Sequence, residues 1–197
     1  MEGSKGLHPA FGHDYYLFRK KVFKIFGGAF HAYDSAGNVI FYSEQKAFKL
    51  REDFRIYSDV AKSQELLRIS TPQILDIGAT YNVYDSTTDC FVGAIRRKFL
   101  KSILKDEWVY LAGEGAEIGT LTETSILGAL ASRVIKLIPQ SYDANSVDGR
   151  TVAVLKQHFN PFVLKYTMNI IDPQPPIDRR LLIASGVLLA AIEGRQQ

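Results

Sequence analysis

The segment from Leu181 to Ile192 constrains this chain more than any other, because it runs almost without a polar side chain. A helix that is apolar on every face must be surrounded by protein or by lipid. Twelve helical residues rise about 18 Å, whereas the hydrocarbon core of a bilayer is roughly 30 Å thick. We therefore predict a helix, from about 178 to 193, that is buried in a protein core. Asp178 is a typical N-cap residue for it.

Two arginines, Arg179 and Arg180, follow the expected N-cap. The helix dipole does not favour cations at a helix N-terminus. Pairing with Asp172 or Asp178 would account for them.

The rest of the chain contains short apolar and aromatic runs separated by turn residues, a pattern typical of an all-β barrel or sandwich. Ser35-Ala36-Gly37-Asn38 and Asp148-Gly149 predict hairpin turns, because Gly and Asn accept a positive φ at low cost. The predicted strands are 15–18, 22–26, 30–34, 39–43, 48–57, 65–70, 73–77, 80–85, 91–96, 107–111, 117–123, 134–138, 151–157 and 162–170. Between two of them, 126–131 is interpreted as a surface connector with a short helix.

An internal repeat supports a barrel. Residues 31–35 match residues 82–86, and a turn, an apolar strand, a basic stretch and an aromatic strand follow each copy. A third, weaker copy begins at 148–150. Repeated β-meander units favour one closed barrel over two unlike domains. We expect one domain over 15–197, preceded by a flexible N-terminal tail over 1–14, which is polar and Gly-rich.

Composition sets limits on partners and location. The net charge of +3 is too mild to indicate nucleic acid, so no nucleic-acid partner is expected. With Cys90 as its one cysteine, the chain cannot form an internal disulfide. A cytoplasmic setting is therefore the simpler expectation.

The sequence contains no catalytic constellation, and we expect no enzyme activity and no cofactor. The repeat aligns Cys90 with Val39, so Cys90 is interpreted as a small buried hydrophobe. The four histidines lack zinc-ligand spacing. Residues 143–149 resemble a calcium loop only faintly, since the glycine is one position late and Val154 stands where glutamate is needed. We interpret this segment as a hairpin turn. No metal site is predicted.

Two basic clusters are the one feature that suggests a ligand: Arg19-Lys20-Lys21 with Lys24, and Arg96-Arg97-Lys98 with Lys101 and Lys105. A basic rim could bind anionic lipid headgroups, to which each Lys or Arg contributes about 1 kcal/mol. If 97–105 were a helix, cations would share one face and apolar residues the other, as in a membrane-surface helix; we favour strands and a basic loop. An ordinary solvated face balanced by carboxylates such as Glu107 is the alternative. The predicted headgroup-binding residues are Lys20, Lys21, Arg96, Arg97, Lys98 and Lys101.

The order of these features resembles the tubby C-terminal-like superfamily, which includes the LURP-one-related proteins and the phospholipid scramblases. Residues 30–38, 75–85, 92–98 and 181–196 carry the resemblance. It implies a barrel of about twelve antiparallel strands with the last helix threaded through its centre. It also implies a role at phospholipid membranes for some members. Scramblase-like proteins carry cysteine clusters and an acidic calcium segment before the last helix, whereas this chain has one cysteine and only Asp172 within 169–176.

The leading hypothesis is a non-enzymatic binding module that contacts anionic phospholipid at a membrane surface, as a cytoplasmic protein held there peripherally. One alternative is a phospholipid scramblase that exposes its apolar helix. Another is a protein-interaction or small-ligand-binding domain, with its site in the barrel mouth.

Overall fold

The computed structural model describes residues 6–21, 29–45, 53–71, 78–98, 107–124, 139–158, 160 and 163–192. These residues contain twelve strands and one α-helix: β1 (Tyr15–Lys21), β2 (Ala29–Tyr33), β3 (Val39–Gln45), β4 (Asp53–Tyr57), β5 (Glu65–Ser70), β6 (Thr80–Asp85), β7 (Cys90–Lys98), β8 (Glu107–Leu111), β9 (Glu117–Glu123), β10 (Ser141–Ser146), β11 (Thr151–His158), β12 (Val163–Ile170) and α1 (Arg179–Ile192). The predicted segments 22–26, 73–77, 126–131 and 134–138 lie outside the described residues.

The twelve strands form a closed antiparallel barrel in which each strand pairs with its neighbours in the chain. Closure comes from β1, which pairs along its whole length with β12, from Tyr15 opposite Asn169 to Lys21 opposite Val163. The C-terminal helix is buried: every residue from Leu181 to Ala191 is inaccessible or nearly so. The predicted barrel around a buried hydrophobic helix is therefore confirmed.

The connections between strands distinguish the two ends of the barrel. At one end, which we name the hairpin end, short turns follow β2, β6 and β10, and α1 begins after β12. At the other, which we name the far end, β1 and β7 finish and α1 ends near Lys20. By strand order the barrel divides into three four-stranded meanders, β1–β4, β5–β8 and β9–β12.

The interior is filled by one face of each strand. Burial alternates along β6 and β12, as a pleated strand with one face against a core requires. The inward residues are both aromatic and aliphatic, and they form one hydrophobic core with the helix. The sole hydroxyl of α1 is satisfied, because Tyr110 donates to Ser185 Oγ at 2.9 Å and Ser185 donates to the Leu182 carbonyl at 2.7 Å. Burial raises the pKa of Tyr110 well above its usual value.

Both predicted hairpin turns are present at the hairpin end. Gly37 and Gly149 have φ values of 86° and 83°, which explains why glycine occupies them. In the first turn, the Asp34 carboxylate accepts hydrogen bonds from the backbone of Ala36 and Asn38 at 2.9 and 2.8 Å. Within the region predicted as the N-terminal tail, Pro9–Phe11 form a 3-10 turn and the Phe11 side chain is completely buried.

Two predictions about local structure are wrong. Cys90 is exposed, because it stands at the start of β7, directly after a turn. The segment 143–149, interpreted as a turn, is a strand over its first four residues, which belong to β10. They form a strand because β9 and β11 pair with β10 from both sides, and the turn begins only after them.

Candidate functional site

The structure places the two predicted basic clusters at the same end of the barrel but on opposite sides of it. Lys20 and Lys21 end β1, and residues 96–98 end β7, both at the far end. In the barrel order, β1 and β7 are six strand positions apart in either direction, roughly 29 Å along the wall at about 4.8 Å per strand. The two clusters do not converge on one site. Lys101 and the side chain of Lys21 lie outside the described part of the chain.

Lys20 points into the barrel rather than out of it. Its side chain is 8% exposed, and its Nζ donates to the Ala191 carbonyl at 3.4 Å. A cation at this position stabilises the negative end of the helix dipole and one of the last free carbonyls of α1. Lys20 therefore stabilises the C-terminal end of α1.

The three basic residues of β7, which we name the rim cluster, are each engaged within the chain. Arg96 pairs with Glu117 and Lys98 pairs with Glu107, both at 2.9 Å. Arg97 faces the interior, where its guanidinium lies 5.4 Å from the ring centroid of Trp108. Because Arg97 and Lys98 lie in a strand and point to opposite sides, the alternative of a helix with both cations on one face is wrong for these two residues.

A different set of basic side chains lies on the outer wall formed by β11, β12, β1 and β2. The register places His158 opposite Lys165, Lys165 opposite Arg19, and Arg19 opposite His31. These four residues form a continuous line across four neighbouring strands, which we name the basic row. Directly opposed side chains on neighbouring strands have Cβ atoms about 5 Å apart. The basic row is therefore compact.

Aromatic residues continue the basic row on one side. His31 is opposite Tyr42 on β3, with ring centroids 5.3 Å apart, and Tyr42 is opposite Tyr57 on β4. Arg19 also lies 5.9 Å from the ring centroid of Tyr33. On β11, the exposed Lys156 adds a further cation two residues before His158.

The electrostatics of the basic row differ from those of the rim cluster. Within the described ranges, neither Arg19 nor Lys165 forms an ion pair with a carboxylate. Burial and the neighbouring Arg19 guanidinium lower the pKa of His31. Like charges directly opposite one another on neighbouring strands are destabilising. The basic row is thus a surface on which an anion would relieve repulsion.

Sequence reasoning did not find the basic row, because its members come from opposite ends of the chain. Arg19 was recognised only as part of a basic run, and Lys165 stands alone between apolar residues. The usable signal was the alternation of β12, which points Lys165 outward. The pairing of β12 with β1 places Lys165 opposite Arg19. No local sequence pattern predicts this pairing.

Among the described residues, no group of His, Cys, Asp and Glu could hold a metal ion. Within the same residues, no helix is long and apolar enough to cross a membrane.

Comparison with protein-family models identifies one family. A comparison with curated proteins found no match. The family model described as LURP-one-related matches residues 15–190, which span β1 to nearly the end of α1. The closed twelve-stranded barrel, the buried helix and this match agree, and the chain belongs to the LURP-one-related family of the tubby-like superfamily.

Proposed function

We propose that this chain is a non-enzymatic binding module that contacts anionic phospholipid at a membrane surface through the basic row. The observation that carries the proposal is the direct opposition of Arg19 and Lys165 on neighbouring strands with no ion-paired carboxylate in the described structure. An anionic headgroup would offset the repulsion between them. Membership in a tubby-like family supports the coarser part of the proposal, a binding module.

The size and composition of the surface suit a peripheral contact. Each Lys or Arg near an anionic membrane contributes about 1 kcal/mol, so Arg19, Lys165 and Lys156 together would supply about 3 kcal/mol. Tyr33 and Tyr42 flank these cations, and tyrosine is enriched at membrane–water interfaces. The outcome would be a cytoplasmic protein held at the membrane by charge, with no span of the bilayer.

Vesicle co-sedimentation tests the proposal. The wild-type chain is expected to sediment with vesicles that contain phosphatidylglycerol and to stay in solution with vesicles of phosphatidylcholine alone. Replacing both fixed cations, Arg19→Gln and Lys165→Gln, should weaken binding to the anionic vesicles by about 25-fold, since about 1.4 kcal/mol corresponds to tenfold.

The rim cluster offers a matched control. Arg96→Gln with Lys98→Gln removes the same charge from the opposite side of the barrel, where both cations already have carboxylate partners. This variant should bind as the wild type does. Equal recovery with neutral and anionic vesicles would overturn the proposal, as would loss of binding in the rim variant only. Capture of a single-stranded oligonucleotide through Arg19 and Lys165, without vesicle binding, would also overturn it.

Lipid scrambling gains no support from this geometry. Such a role requires α1 to leave the barrel, yet its residues from Leu181 to Ala191 are all buried. Scrambling is therefore not part of the proposal.

A further inference from the structure

Two of the four residues in the basic row are histidines. His158 and His31 stand at its two ends, and the permanently charged Lys165 and Arg19 lie between them. Histidine is the side chain whose ordinary pKa places its charge change between pH 5 and 8. The basic row therefore contains two side chains of the type that can change its charge with pH.

The groups that face His31 leave it without an acidic partner in the described structure. Arg19 faces it from β1, Tyr42 faces it from β3 at 5.3 Å between ring centroids, and Tyr33 is 6.0 Å away on its own strand. Burial and the charge of Arg19 both favour the neutral imidazole.

The second histidine also lies next to a fixed cation. Lys165 faces His158 from β12, and the His158 Nε2 lies 2.9 Å from Thr167 Oγ1 on the same strand. Lys156 is the nearest charged residue on its own strand. Of the described carboxylates, none forms an ion pair with either histidine. A second proton-accepting group is thus placed beside a fixed cation.

We propose that acidification strengthens the contact between this wall and an anionic membrane, because protonation of His31 and His158 converts the basic row into four adjacent cations. The inference rests on the proposed phospholipid contact. In the free protein, burial and Arg19 oppose protonation of His31. A bound anionic surface reverses that balance, so binding takes up protons and becomes stronger as pH falls.

The experiment compares vesicle binding at pH 7.5 and pH 5.0. Phosphatidylglycerol is the lipid of choice, because its phosphodiester stays ionised at both values. One newly protonated histidine should raise the affinity about five-fold and two should raise it about 25-fold, if each acts as a surface Lys or Arg does. The wild-type affinity is therefore expected to rise at least five-fold.

The test variant is His31→Asn with His158→Asn. Asparagine suits this strand position, since the repeat places Asn82 of β6 where β2 has His31. The affinity of this variant should no longer rise between pH 7.5 and pH 5.0. His13→Asn is the control, because His13 precedes β1 at the hairpin end, away from the basic row, and it should retain the rise.

The possible failures are distinguishable. A wild-type affinity that does not change with pH would overturn this inference, and so would a rise that persists in the double histidine variant. Either result would leave the effect of Arg19→Gln with Lys165→Gln to decide the phospholipid contact itself. Absence of wild-type binding at both pH values would overturn both. Trp108 fluorescence at each pH confirms that the compared proteins are folded.

Discussion

At the start of α1, two arginines occupy a position that the helix dipole disfavours, and each is neutralised by a different part of the barrel. Arg180 is paired with Asp178 at 2.6 Å and with Asp85 at 2.7 Å. Arg179 binds the carboxylate of Asp14 at 2.7 Å and the carbonyls of Phe11 and His13. The expected partner Asp178 is confirmed for Arg180. These contacts fix the first turn of the helix to the hairpin end.

Asp85 should contribute stability that depends on pH. It is 3% exposed; burial raises its pKa, but hydrogen bonds from Thr87 and Arg180 outweigh burial and lower it below 3.8. A depressed pKa means that the contribution is complete above pH 3.8 and is lost as pH falls through the folded-state pKa. Asp85→Asn should therefore cost about 3 kcal/mol at pH 7, as breaking a buried pair does. Urea unfolding of the variant and the wild type measures the difference.

The control for this experiment is Asp148→Asn. Hydrogen bonds from Ser146 and Arg150 lower the pKa of Asp148 to about 2, but this carboxylate is exposed in a hairpin turn. Asp148→Asn should therefore change the free energy of unfolding at pH 7 much less than Asp85→Asn does. A difference between Asp85→Asn and the wild type that stays constant from pH 7 to below pH 3.8 would contradict the assignment.

Cys90 shows where residue-level prediction from the sequence succeeds and where it fails. The repeat alignment of Cys90 with Val39 is correct, since each residue begins the strand after a hairpin turn. The inference that followed was wrong, because Val39 is itself 49% exposed. An apolar side chain at a strand start need not face the core. The repeat predicted equivalent positions but not their burial.

Among the elements, α1 depends on a close approach at Gly186. A Cβ at Gly186 would lie 2.7 Å from the Phe18 ring and 3.0 Å from Met168 Cε. Gly186→Val should therefore overpack the barrel, and we expect a loss of more than about 1 kcal/mol in the free energy of unfolding, since overpacking costs about 1–3 kcal/mol. Chemical denaturation measures it.

Gly113 provides the matched control for that substitution. It lies in the turn between β8 and β9, and an added Cβ would meet no atom within 4 Å. Gly113→Ala should leave the free energy of unfolding unchanged or raise it slightly, because alanine reduces the conformational entropy of the unfolded chain. Equal stability of Gly186→Val and the wild type would show that the helix does not need a small residue here.

Strand prediction from the sequence succeeded where a run of apolar residues marks the strand, and failed where pairing alone determines it. The bounds of β5, β6, β8 and β9 agree with those expected from the apolar runs. β10 was missed because its sequence, Ser-Tyr-Asp-Ala-Asn-Ser, is polar and small, which is typical of a turn. Hydrogen bonds from β9 and β11 stabilise it as a strand.

At the scale of the whole molecule, barrel closure creates the candidate site. Arg19 and Lys165 become neighbours only because β1 pairs with β12, and a shift of one residue would turn one of them toward the core. The sequence predicted the barrel and the buried helix, since both follow from local patterns and a repeat. It could not predict the basic row, because the register between the first and last strands is a property of the closed barrel.

Closure around a helix also predicts how the molecule unfolds. Neither the strands nor α1 can bury their apolar faces without the other, so partial unfolding would expose the core to water. We expect one cooperative transition. Trp108 is the chain's single tryptophan and is 2% exposed on β8, so its fluorescence reports burial while far-ultraviolet circular dichroism reports the strands. In urea the two curves should superimpose.

Substitutions at Leu188, which is 1% exposed in α1, test this coupling directly. Leu188→Asp would bury an unpaired carboxylate, and because the barrel cannot close around it, the whole chain should fail to fold in soluble form. Leu188→Met conserves volume and should cost less than about 1.5 kcal/mol, with both transitions still superimposed. A soluble Leu188→Asp protein with a native strand spectrum would contradict the coupling, because it would show that the twelve strands close without the helix.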